Sequence, residues 1–149
     1  MSGLLKAFTN ALQSGHLKEQ GFQKRYETFS RQHPKFSEYY HIQPTNRAGD
    51  TWSFHLIVGI GFSDIPSKQK GQLAGCHASK RYLTVETTLL TSSDTDLETL
   101  REEAARVAGI ILAQSEYLLS RYPILRHSYD RAILHEGFPA DPETDLSQD

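Results

Sequence analysis

The sequence predicts one α+β domain: a four-stranded antiparallel meander sheet with N-terminal and C-terminal helices packed on one face. Three observations carry that expectation. Apolar residues at helical spacing open and close the chain. Between them, Trp52, Phe54, Leu56, Val58, Ile60 and Phe62 alternate strictly with smaller or polar residues, the pattern of a strand buried on one side. Short breaks containing Pro or Gly separate the early strand-like segments, which suits hairpins rather than crossovers.

The elements follow in order. Leu4, Leu5, Phe8, Ala11, Leu12 and Leu17 predict a helix over 3–20, with Ser2 as its N-cap, Gly15 as a weak point near its end and Gly21 as its stop. Phe22 to Arg31 reads as one strand with Phe22 and Tyr26 on the core face, and Phe29 breaks the parity like a bulge. Gln32-His33-Pro34-Lys35 is a turn. Phe36 to Gln43 is the second strand, with Phe36, Tyr40 and Ile42 on one face and Tyr39, His41 and Gln43 on the other. A loop over 46–50 leads into the strand Thr51 to Phe62, and facing Thr45 with Thr51 sets Ile42 opposite Phe54, Tyr40 opposite Leu56 and His41 opposite His55.

A long connection over 63–79 precedes a fourth strand, Lys80 to Leu90. Ser92 to Tyr122 predicts a long helix, opened by a Thr95–Glu98 capping box and early acidic residues and ended or kinked by Pro123. Ile124 to His135 predicts a last helix with Gly137 as its stop. The domain is expected to span 1–138, and the acidic stretch 139–149 to be a flexible tail.

Composition narrows the function classes. A chain of 149 residues is the size of one domain. A net charge of −2 and a pI near 6.4 argue against a strongly cationic nucleic-acid binder. Charge is nonetheless uneven, with eleven basic and five acidic residues up to Arg81 and five basic and thirteen acidic after it. No apolar run nears the ~18 residues of a membrane span, so no membrane partner is expected. Cys76 is the single cysteine and has no internal disulfide partner, and residues 1–12 lack a signal-peptide core. Both points favour a reducing, cytoplasmic setting.

The helix followed by Gly21-Phe22-Gln23-Lys24-Arg25, then Phe29-Ser30-Arg31, Tyr40-His41-Ile42-Gln43, the strand Trp52 to Gly61 and the pair Cys76-His77 before Arg81, resembles a family of uncharacterised bacterial proteins. That family is the domain of unknown function numbered four-three-zero-four. The resemblance covers roughly Leu4 to Leu90. It implies no established activity and carries over no catalytic residue. Some such small domains are immunity proteins against toxins, so it implies a binding module by analogy.

Candidate chemistry centres on His41 and His55. Directly opposed strand residues have Cβ atoms ~5 Å apart, near enough for two imidazoles to share a ligand. Cys76, His77 or Glu86 would be the third donor, but no element carries metal-ligand spacing, so no metal and no cofactor is expected. Cys76 and His77 are adjacent on an extended chain and point apart, which argues against a thiolate nucleophile. Lys24, Arg25, Arg31, Lys35 and Arg47 interleave with aromatics, yet no RNA-binding aromatic motif is present.

The expected function is a non-catalytic binding or interaction module whose partner is another protein. Its candidate binding residues are Tyr39, His41, Gln43, His55, His77 and Arg81, with no catalytic residue assigned. The alternative is a metal-dependent or other small-molecule enzyme using the sheet-face histidines and the 63–79 connection. Ile110, Leu112 and Leu119 widen the apolar surface of the long helix, which implies either burial under the last helix or a homodimer seam.

Overall fold

A computed structural model describes residues 2–45, 52–66, 76–87, 97–131 and 138. Helix α1, Ser2–Leu12, buries Leu4, Phe8 and Leu12, a stripe at steps of four. It does not continue as an α-helix to residue 20. The chain widens into a π turn at Gln13–Leu17 and tightens into a 3₁₀ turn at Lys18–Gln20. Gly15 lies inside the π turn, the weak point its missing side chain implied. Gly21 closes the segment at φ 93°, with its N–H on Lys18 O and the Phe22 N–H on Leu17 O. Those two bonds make a Schellman cap, and they seat Leu17 and Phe22 in the core.

The fold class is as expected, α+β with an antiparallel meander. The strand count rises to five among the described residues: β1 Gln23–Arg25, β2 Thr28–Gln32, β3 Phe36–Pro44, β4 Trp52–Phe62 and β5 Ala78–Thr87, paired in sequence order. The extra strand comes from Phe22 to Arg31, which is a hairpin rather than one bulged strand. Arg25 faces Thr28 across a two-residue turn, Tyr26-Glu27, with Tyr26 at φ 55°. This turn has none of the Gly or Asn that normally announces a positive φ. The broken parity at Phe29 therefore marks a reversal, and Tyr26 is 76% exposed instead of lying in the core.

The β3–β4 register is displaced by two residues from the expected one: Ile42 faces Leu56, Tyr40 faces Val58, His41 faces Ile57 and Gln43 faces His55. An even displacement leaves every side chain on its expected face, so hydrophobic alternation alone does not distinguish the two. Phe36, Glu38, Tyr40 and Ile42 on β3 and Phe54, Leu56, Val58, Ile60 and Phe62 on β4 form the inner face, all buried. The side chain of Trp52 lies outside the described residues. On β5, Leu56 faces Leu83 and Ile57 faces Arg81, so Tyr82 is a bulge residue, and it is buried.

Helix α2 runs without interruption from Leu97 to Asp130 and contains Pro123. The expected break into two helices is therefore absent. Pro123 removes the N–H that would bond Leu119 O. Both residues are exposed, so the carbonyl of Leu119 is not left without a partner in the core. Leu100, Ala104, Val107, Ala108, Ile111, Leu118 and Leu125 face the core. Phe8 meets Phe54 at 5.7 Å between ring centroids, and Phe36 stacks on Tyr122 at 5.0 Å. Both helices thus cover the inner face of the sheet. Of the long helix's extra apolar residues, Ile110 and Leu112 pack partly against the core, and Leu119 is 45% exposed. The expected capping box, the last strand residues 88–90, Gly137 and the acidic stretch 139–149 lie outside the described residues.

Candidate functional site

The outer face of the sheet, opposite the helices, is built by alternation. Arg25, Thr28, His41, Ile57 and Arg81 form one line across all five strands, each paired with the next. Gln43, His55 and Thr84 form a second line beside it. Arg25, Gln43, Arg81 and Thr84 are exposed, and His41, His55 and Ile57 are half-buried.

Threonines on the flanking strands orient the two histidines. His41 Nδ1 is hydrogen-bonded to Thr28 Oγ1 at 2.8 Å, toward β2. His55 Nδ1 is hydrogen-bonded to Thr84 Oγ1 at 2.8 Å, toward β5. The rings are therefore drawn toward opposite neighbours, and the two-residue register displacement makes them diagonal rather than directly opposed. Among the described residues, no group of three His, Cys, Asp or Glu could hold a metal ion. Burial pushes the His41 imidazole below its ordinary pKa, and the charge of Glu27 opposes the shift in part.

Two candidate residues do not lie open on this face. Tyr39 is 4% exposed. It faces Gly59 in the ladder, and a Cβ built on Gly61 would stand 3.4 Å from Tyr39 Cε1. The two glycines leave room for the ring to lie flat against the sheet. His77 is stapled at the end of β4. The Phe62 N–H donates to His77 Nδ1 at 2.9 Å, so the ring proton sits on Nε2, which donates to Pro66 O at 3.1 Å. The ring also stacks on Phe62 and meets Tyr129 edge-on, a packing role. Burial pushes the neighbouring Cys76 thiol up, away from the thiolate a nucleophile needs. The residues 67–75 of the long connection lie outside the described residues.

A second polar constellation lies on the inner face. Glu38 is fully buried and accepts three hydrogen bonds: from Tyr40 Oη at 2.5 Å on Oε1, and from His33 Nε2 at 2.5 Å and Arg31 Nε at 3.0 Å on Oε2. Arg31 also donates to Gln20 O at 2.8 Å and to Ser115 Oγ at 2.6 Å, and lies 4.5 Å over the Phe22 ring. One guanidinium thus joins β2 to β3, to the 3₁₀ turn and to α2. Burial, then the charge and hydrogen bond of Glu38, push the Tyr40 phenol well above its ordinary pKa, so it stays a donor. The Arg31 and His33 side chains are only 20% and 17% exposed. With three donors converging on the two oxygens of a fully buried Glu38, the arrangement anchors the sheet to its helices.

The signal for this constellation was in the alternation. Glu38 stands between Phe36 and Tyr40 on the inward parity of β3. Arg31 and Glu38 are directly paired across β2 and β3. What the sequence did not disclose was Ser115, which lies 84 positions from Arg31. In comparisons with known proteins, no family model, no curated protein and no solved structure matches the chain.

Proposed function

We propose that the chain is a non-catalytic protein-binding module whose contact surface is the outer sheet face around His41, Gln43, His55, Ile57, Arg81 and Thr84. The observation that carries this reading is the division of the sheet. Its inner face is consumed by the core and the Glu38 network. The outer face keeps a cross-strand line of arginine, histidine and isoleucine that no described helix covers. Arginine and aromatic groups around a partly buried aliphatic residue are the composition of protein contact surfaces. Tyr39 and His77 support the surface from beneath and from its end. The cytoplasmic setting favoured by the lone Cys76, and the resemblance of Leu4 to Leu90 to the four-three-zero-four family with its immunity-protein analogy, belong to the same proposal. The enzymatic alternative has less support, because it needs the two histidines to converge.

A photo-crosslinking residue placed at Gln43 or Thr84 tests the proposal in cells. The expected result is one discrete adduct from both positions and none from Glu102, an exposed position on α2. Equal labelling from all three positions, or no adduct from Gln43 and Thr84, overturns it.

A further inference from the structure

We propose that the outer sheet face, extended to the hairpin tip at Tyr26, receives an extended acidic segment of the partner protein laid across the strands, with one carboxylate at Arg25 and a second at Arg81. This rests on the outer-face reading and adds the partner's chemistry to it.

Arg25, Thr28, His41, Ile57 and Arg81 are successive partners in the four ladders, so they stand in one row across the sheet. Both arginines are exposed, and neither enters an ion pair among the described residues. Between them His41 is held to Thr28 at 2.8 Å, and Ile57 is half-buried. The charge of Glu27 acts on His41, yet Glu27 pairs with neither arginine. Two unpaired cations bracketing an aliphatic residue are complementary to an acidic segment that carries an apolar residue of its own.

The strand spacing sets the pattern of that segment. Neighbouring strands lie about 4.8 Å apart, so four steps separate the backbones of Arg25 and Arg81 by about 19 Å. An extended chain advances about 3.3 Å per residue and turns alternate side chains to one side. Two acidic residues about six positions apart therefore reach both arginines from the same side. Ile57 is one strand from Arg81, which calls for an apolar residue about two positions from the second acid.

Tyr26 supplies a separate observation. It follows Arg25, holds φ 55° without being glycine and is 76% exposed. Backbone strain of this kind collects at binding sites. Packing within the free protein does not offset it at so exposed a residue. An exposed tyrosine beside an exposed arginine is the pairing of residue types that anchors protein interfaces. A segment that continues past Arg25 covers the Tyr26 ring.

The test is a nitrogen-15 NMR titration of the full chain with an end-blocked nine-residue peptide. It has leucine at its first and seventh positions, glutamate at its third and ninth, threonine at its fifth and serine elsewhere. One control carries the same residues with both glutamates at one end, and another carries lysine for glutamate. The first peptide is expected to shift the amides of Tyr26, His41, Ile57 and Arg81 and to leave those of α2 unmoved. It is expected to bind several-fold tighter than the one-ended control and to weaken several-fold at about 0.5 M salt, whereas the lysine peptide shifts nothing. Arg25→Gln and Arg81→Gln, at exposed positions, are each expected to weaken binding about threefold with an unchanged Tm. Tyr26→Gly is expected to melt higher than wild type and to bind about tenfold more weakly, a combination that a structural role does not produce. Unmoved outer-face amides, equal binding of the one-ended control, or full binding by the Arg25→Gln/Arg81→Gln double variant or by Tyr26→Gly overturns the proposal. If crosslinking from Gln43 and Thr84 still yields its single adduct in that event, the outer face remains the contact surface and only the acidic chemistry of its partner is refuted.

Discussion

Glu38 is held in the core only while its three donors stay in place. Removing one partner of a buried pair leaves the other charged and unsolvated, which costs about 3–5 kcal/mol. Glu38→Gln strips the charge opposite Arg31 and presents an N–H₂ to a donor, so urea denaturation is expected to show a loss of that size. Tyr40→Phe removes one neutral donor and costs about 1–3 kcal/mol. The Tyr40 phenol titrates above its ordinary value in the folded state. The unfolded chain therefore loses that proton first, and stability falls as pH rises past about 10. Tyr40→Phe is expected to remove this alkaline decline. His41 has the opposite pattern to a salt-bridged histidine: its folded pKa is lowered from 6.5. The unfolded chain binds the proton more readily, so the contribution of His41 to stability is complete above about pH 6.5 and declines as pH falls below it. His41→Gln is expected to flatten the stability–pH curve on that acid side, and an unchanged slope in denaturant titrations would place the acid sensitivity elsewhere. At this scale legibility was uneven. His41, Gln43 and His55 could be placed on the outer face from parity alone, whereas Arg81 reaches that face through the bulge at Tyr82, which parity does not disclose. The burial of Tyr39 was not legible, because it depends on two glycines on a different strand.

Local patterns explain most of the elements, and the misreadings have physical causes. Alternation set the faces of β3 and β4 but not their register, since an even displacement costs the pattern nothing. The β1–β2 hairpin was hidden because its turn is Tyr26-Glu27, without the small residues that favour positive φ. That choice has a stability cost, since an L-residue in the left-handed region is strained by about 1–2 kcal/mol. Tyr26 is exposed and contributes little packing in return. Tyr26→Gly is expected to raise stability by about 1 kcal/mol, less than the strain removed because glycine adds freedom to the unfolded chain. A fall in the urea midpoint would mean that the tyrosine makes contacts that outweigh its strain. Pro123 misled in the other direction. It reads as a helix end, but α2 packs against the core on both sides of it, at Leu118 and Leu125, and tertiary burial outweighs one missing hydrogen bond.

At the scale of the whole molecule, Arg31 ties its own strand to three other elements. It reaches Glu38 on β3, the carbonyl of Gln20 at the end of the first helical segment and Ser115 on α2. The first two lie near in sequence, whereas Ser115 is brought close only by the completed fold. The network therefore ties the sheet to both helical segments, and its loss is expected to loosen that junction before the sheet itself. Arg31→Met keeps an unbranched apolar side chain and removes the guanidinium's stacking on Phe22 together with every hydrogen bond it makes. Native-state hydrogen exchange is expected to speed up at Gly21, Phe22 and the β1–β2 hairpin, while amides of β3 and β4 exchange only with global unfolding. Combining Arg31→Met with Glu38→Leu tests whether the pair acts as a unit. Each single change strands a buried polar group, but the double change removes both charges. The double variant is therefore expected to lose less stability than the sum of the singles, by a coupling of about 0.5–3 kcal/mol. Strict additivity in that cycle would show that Glu38 is held by Tyr40 and His33 alone, with no energetic coupling to Arg31.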